Sequence, residues 1–230
     1  MTERHELRWG GFAGLAFVVL AVLSALVPGL PPRVSATSGE IVSYVTDGQD
    51  RMLLAALLLA AASGLVIWFS AAFAEAIRER SEERSDVHLA LLAGSVLIGG
   101  APFIYAASWA VLAYGAEGRS EATTVSMFTG VMVFNTVLGF AAALPLAAAG
   151  IGVLRTHLMP NWLGYLGLVA AAVSVIAAFG VFVESGDYAP GGPLMPLVSL
   201  AAGGAFVLCA SVFMVREHLP EVRPMTLPQT

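Results

Sequence analysis

The chain has 230 residues, of which 58% are hydrophobic and 12% charged, with a mean hydropathy of +0.82. A soluble domain carries about 25% charged residues, so these few charges exclude a water-facing surface, and lipid is the solvent that removes the need for one. The net charge of −5, with arginine supplying every cationic side chain, leaves no basic stripe for phosphates and excludes nucleic acid as a partner.

Taken in chain order, the apolar stretches predict an all-α membrane protein with six transmembrane helices and short loops. The first, residues 9–30, has no charge between Arg8 and Arg33, and at least 20 apolar residues are needed to cross the roughly 30 Å hydrocarbon core. A signal peptide is the alternative, because Val34-Ser35-Ala36 resembles a cleavage site. The stretch is longer than an ordinary signal core and Pro28-Gly29-Leu30-Pro31-Pro32 separates it from that site, which favours a retained helix.

Between the first two spans, Thr37-Ser38-Gly39-Glu40 fits a capping box, and Ile41, Val42 and Val45 supply one apolar face. That pattern predicts a short helix at the membrane surface. Asp50 is expected to cap the second span, 52–77. The run Arg78 to Asp86 is dense in both charges. It reads as a solvated loop with pairs such as Glu79 with Arg84, and as the place where a cytoplasmic partner would dock.

The third span, 88–114, carries Pro102 near its middle, where a missing backbone donor kinks a helix. The fourth, 124–154, begins after Glu121 and is too long for the bilayer unless it tilts, bends at Pro145 or protrudes. The fifth, 160–183, starts at Pro160, a favoured first helical position, with Trp162 and Tyr165 as interfacial anchors. The sixth is 194–215, and residues 219–230 read as a disordered tail.

Six spans put Arg4, Arg8, Arg78, Arg80, Arg84, Arg155, Arg216 and Arg223 on one side and Arg33, Arg51 and Arg119 on the other. Cytoplasmic loops collect arginine, so both termini are expected in the cytoplasm of a multi-pass protein of the bacterial inner membrane. The ends Arg155-Thr156-His157-Leu158-Met159-Pro160 and Arg216-Glu217-His218-Leu219-Pro220 echo each other, which a shared exit rule of arginine followed by proline accounts for.

The stretch Leu65-Val66-Ile67-Trp68-Phe69 running into Arg78, and Leu154-Arg155 leading to Pro160-Asn161-Trp162-Leu163-Gly164, resemble small polytopic membrane proteins of actinobacteria grouped as a domain-of-unknown-function family. The resemblance implies location and topology. It supplies no activity, cofactor or site residue.

Residues that carry chemistry are sparse. His5, His88, His157 and His218 all fall at the cytoplasmic ends of spans, without the spacing of a haem or zinc site, and the single cysteine, Cys209, builds no metal cage. No metal or cofactor is therefore expected. Glu75 and Glu184 sit at the rims, and no nucleophile elbow or phosphate loop occurs. The deep polar groups are neutral: Tyr105, Ser108 and Trp109 share one helical face of the third span, and Asn135 lies at similar depth in the fourth. An amide in hydrocarbon needs a partner, so an Asn135–Tyr105 bond is expected, as interhelical glue or as the polar lining of a small pocket. Ser95-x-x-x-Gly99 and Ser199-x-x-x-Gly203 predict close helix approach. The leading functional expectation is a non-enzymatic regulatory or envelope-interacting scaffold. The alternative is a transporter or carrier of a small amphipathic or lipid-like ligand, to be favoured if a cavity joins Tyr105 and Asn135; an intramembrane enzyme ranks last.

Overall fold

The computed structural model describes residues 2–81, 86–192 and 194–216, and their side chains except at 2–6, 195, 196 and 199. The expected tail 219–230, Arg84 of the charged loop and His218 of the echoed end lie outside these residues. Among the described residues the fold is all-helical: α1 (Thr2–Leu26), α2 (Ser38–Asp47), α3 (Gln49–Arg80), α4 (Val87–Ala113), α5 (Glu121–Thr156), α6 (Asn161–Ala178) and α7 (Leu194–Arg216). Single 3-10 turns follow α4 and α6. Five helices, α1 and α3 to α6, are long and apolar enough to cross a membrane, and α7 contributes a shorter apolar stretch, Leu200–Arg216.

Local signals explain most boundaries. Thr37 caps α2 through the expected box: its hydroxyl accepts from the Glu40 backbone N–H, while the Glu40 carboxylate accepts from the Thr37 N–H. Two expectations need correcting. Asp50 is not the cap of α3, because the helix starts after Gly48 and leaves Asp50 in its first turn, where a negative charge suits the positive end of the helix dipole. Pro160 precedes α6 as its N-cap and is not its first residue. The α4 terminus is closed by a residue the sequence reading passed over. The Arg119 guanidinium donates to the carbonyls of Leu112 (2.9 Å), Val111 (3.1 Å) and Tyr114 (2.6 Å), which the helix leaves unpaired.

Consecutive long helices pack side by side, and α1 closes on α7, so six helices form a ring: α1, α3, α4, α5, α6, α7. Successive helices run antiparallel. One end of the ring, the α2 end, holds α2 and the 27–37, 114–120 and 183–192 connections; the opposite end holds the start of α1 and the end of α7. In lipid no hydrophobic force separates helix from solvent, so close packing of small residues must hold the ring. Gly14 of α1 leaves room for the Ser211 hydroxyl of α7 and the Phe69 ring of α3, which an added Cβ would meet at 2.1 and 2.6 Å. Gly150 of α5 sits against the Gly164 backbone of α6 in the same manner. Gly99 packs on Ile67 and Ser63 of α3, as its motif predicts.

Packing density differs between the two halves. The half near the opposite end is filled by a core that includes Phe73, Ile77, Leu91, Val153, Leu163, Phe206 and Met214, with Phe73 stacked on Phe69 and edge-on to Phe206. At the α2 end a second core joins Ile41 and Val45 of α2 to Trp109, Leu112, Phe128 and Met132. Exposed aromatic residues sit at both ends, with Trp9, Trp162 and Tyr165 at one and Tyr114, Phe182 and Tyr188 at the other. Bilayer interfaces favour such rings of aromatic side chains.

Candidate ligand-binding cavity

Between the two cores the ring is hollow. A cavity of about 580 Å³ lies beneath the loops that follow α1 and precede α7 and descends between the helices. On α5 its lining extends from Met132 to Leu146, about 21 Å at 1.5 Å per residue, and on α7 from Leu197 to Val207, about 15 Å. It ends on Ile98, Leu146 and Val207, below which a void of about 20 Å³ borders Phe69, Phe73 and Phe206. Ligand pockets of drug-sized molecules span about 300–1,000 Å³, so the volume suits a small molecule.

The walls are mostly aliphatic, and their hydroxyls are already occupied. Ser24 donates across the α1–α3 seam to the Ala55 carbonyl at 3.0 Å. Ser63, Thr136 and Ser174 each donate to the carbonyl four residues back, at 2.9, 3.0 and 2.8 Å. Each hydroxyl thus avoids an unpaired donor in hydrocarbon and leaves none for a ligand.

Asn135 is different. It lines the cavity half-buried, and among the described residues its side-chain amide has no hydrogen-bond partner. Tyr105 and Trp109 of α4 line the same space, one turn apart, with their rings edge to face at 6.1 Å. Tyr105 also leans on Phe134 at 6.3 Å. The structure therefore brings three of the four sequence candidates to one cavity. It does not show the expected Asn135–Tyr105 bond: Tyr105 packs on Trp109 and Phe134, and no hydrogen bond joins it to Asn135.

Ser108 is the fourth candidate, and it falls outside the group. Its hydroxyl donates to the Ile104 carbonyl at 2.9 Å, and the residue is not part of the cavity wall. Tyr105 and Trp109 are four residues apart and point together, whereas Ser108 sits one position short and rotates off that face. Gly203 is a second correction. An added Cβ there would meet only Leu146, at 3.7 Å, so this glycine borders the cavity and does not bring α7 against a neighbour.

Tyr44 of α2 completes the aromatic group beside the cavity, with Trp109 at 6.5 Å and Phe128 at 6.2 Å. Its hydroxyl is buried without a hydrogen-bond partner, and that burial pushes its pKa up to about 12 against the opposing pull of Arg51. Arg33, read in the sequence only for its charge, forms an unanticipated ion pair with Asp187 at the rim between the post-α1 and pre-α7 loops. Residues so far apart in sequence leave no local signal.

Chemically, the site offers an apolar bed, one unpaired amide deep inside and one ion pair at the rim. Among the described residues no group of three metal-ligating side chains occurs. Comparison with protein-family models, curated proteins and solved structures gives no match, so the geometry of the cavity carries the functional argument.

Proposed function

We propose that this chain is a six-span protein of the bacterial inner membrane, with both termini in the cytoplasm, that binds and carries a small amphipathic or lipid-like molecule. The single observation behind the binding role is the 580 Å³ cavity that Tyr105, Trp109 and Asn135 share. A polar group meant only to tie helices would be paired to its neighbour, whereas an unpaired amide facing apolar space suits a ligand that brings the missing partner. The scaffold reading rests on the Arg78–Asp86 run, where Arg78 is engaged by Glu75 of its own helix.

Topology supports the same assignment. Among residues with described side chains, Arg8, Arg78, Arg80, Arg155 and Arg216 lie at the opposite end, against Arg33, Arg51 and Arg119 at the α2 end. The cavity then faces the outer leaflet. On a Cys209→Ala background, a cysteine at Ser35 is expected to react with an impermeant maleimide in intact cells, and one at Arg155 only after lysis. The reverse pattern would place the cavity on the cytoplasmic side and defeat the assignment.

Ligand binding is tested with Trp109, which is 7% exposed, whereas Trp9, Trp68 and Trp162 face outward. With those three changed to Phe, brominated fatty acid added to the detergent-solubilised protein is expected to quench Trp109 saturably. Gly203→Leu, which fills the cavity, is expected to weaken that quenching at least tenfold. Quenching that grows in proportion to the added amphiphile, in both proteins alike, would rule out a defined site.

A further inference from the structure

The outline of the cavity also says from which phase its occupant comes. We propose that one hydrocarbon chain of a membrane lipid enters sideways, through a gap between α1 and α7, and that the lipid's headgroup stays at the bilayer surface. This rests on the binding role above and adds the ligand class and its route.

Three observations point the same way. First, the top of the cavity is roofed. Gly191 is pressed against the loop after α1, where an added Cβ would meet the Pro32 carbonyl at 3.0 Å, and the Arg33–Asp187 pair spans the same two loops. Second, the seam between α1 and α7 is tight at the opposite end, where Gly10, Gly11 and Gly14 meet Ser211, Met214 and Val215. Toward the α2 end both helices turn to lining the cavity: Ala25 and Leu197 belong to its wall and are exposed. At Gly204 an added Cβ meets no atom within 4 Å, from α1 or from any other described helix. Ser24, by contrast, ties the same stretch of α1 firmly to α3, so the parting is on the α7 side.

The third observation is one of scale. The lining extends about 15 Å along α7 and about 21 Å along α5, and one leaflet of hydrocarbon is about 15 Å deep. A slot of that depth, open to the side and uncharged below its rim, accepts an acyl chain at the level where acyl chains lie. A water-soluble solute would have to cross the roof, and it would find almost no polar partners beneath. Asn135 supplies an unpaired amide within the slot, suited to a carbonyl or hydroxyl on the chain.

The experiment uses the full-length protein in vesicles containing a lysophosphatidylcholine with a diazirine in mid-chain, photolysed at timed intervals, with adducts located by peptide mass spectrometry. Adducts are expected on the α5 segment 132–146. Placing Trp at both rims of the gap (Ala25→Trp with Leu197→Trp) is expected to slow that labelling at least tenfold, and removing the rim pair (Arg33→Ala with Asp187→Ala) to leave its rate within twofold. Both sets of changes are at exposed positions, and a thermal melt within a few degrees of the parent checks the fold of each. If the gap variant labels at the parental rate and the rim variant faster, the chain comes over the roof: the binding role stands and the lateral route is overturned. If α5 labelling is unaffected by Gly203→Leu, the cavity is not the site and both proposals fall.

Discussion

One methyl group added at Gly139 is expected to destabilise the protein by about 3 kcal/mol, at the upper end of ordinary overpacking. The same methyl at Gly203 is expected to be neutral or to stabilise by up to about 1 kcal/mol, the usual gain of alanine over glycine inside a helix. Both glycines border the cavity, and both look alike in the sequence. Their surroundings decide the sign. At Gly139 the new Cβ would lie 2.2 Å from the Ser174 carbonyl oxygen and 3.2 Å from the Ala178 Cβ. A backbone carbonyl cannot swing aside, so α5 and α6 would have to separate, and the Gly150–Gly164 contact further along the same seam would loosen with them. At Gly203 the nearest atom is the Leu146 Cδ1 at 3.7 Å, an ordinary van der Waals contact. Steric trapping in bicelles, or thermal unfolding in one detergent, measures both. A difference between the two variants below about 0.5 kcal/mol would mean that α5 and α6 do not pack as tightly as described.

How much of this was legible in the sequence depends on the range of the interaction concerned. Helix positions follow from unbroken apolar stretches and from local stop signals such as Pro28-Gly29 and Ser120, whose hydroxyl caps α5, so α3, α4, α5 and α7 begin and end within three residues of the expected stretches, whereas α1 starts at Thr2, ahead of the expected Trp9, and α6 ends at Ala178, short of the expected Val183. The capping box at Thr37 is a four-residue signal and came through intact. Asp50 misled because a strong capping residue stood two positions too late, after Gly48 had already ended α2 and begun α3. The i, i+4 pairing of Tyr105 and Trp109 was readable, and so was the shared depth of Asn135. What no local pattern could reveal is the space between them. A cavity is set by which helices fail to touch, and that depends on ring closure between α1 and α7, nearly the whole chain apart. The same holds for the Arg33–Asp187 pair, whose partners are 154 positions apart. Small-residue motifs carried an ambiguity that composition cannot lift: Gly99 allows contact, whereas Gly203 leaves a void.

Asn135 offers the sharpest test, because glue and ligand site predict opposite signs. As glue, its loss would cost about 0.5–2 kcal/mol, the range of interhelical hydrogen bonds in membranes. Facing the cavity unpaired, it stabilises nothing, and its amide carries part of the cost of a polar group held away from water. Asn135→Leu is therefore expected to stabilise the empty protein by about 1 kcal/mol, through removal of the amide and partial filling of the space. Because no bond joins Asn135 to Tyr105, Asn135→Leu and Tyr105→Phe should combine additively, within about 0.5 kcal/mol. Binding should move the other way. A ligand that places a carbonyl or hydroxyl against the amide loses that partner in Asn135→Leu, and about 1.4 kcal/mol corresponds to a tenfold weaker complex. Greater stability together with weaker quenching of Trp109 by brominated fatty acid is the pattern of a residue kept for function at the expense of the fold. A destabilised Asn135→Leu that couples to Tyr105→Phe by 1 kcal/mol or more would restore the glue reading, since loss of stability and coupling together are the mark of a direct bond between the two side chains.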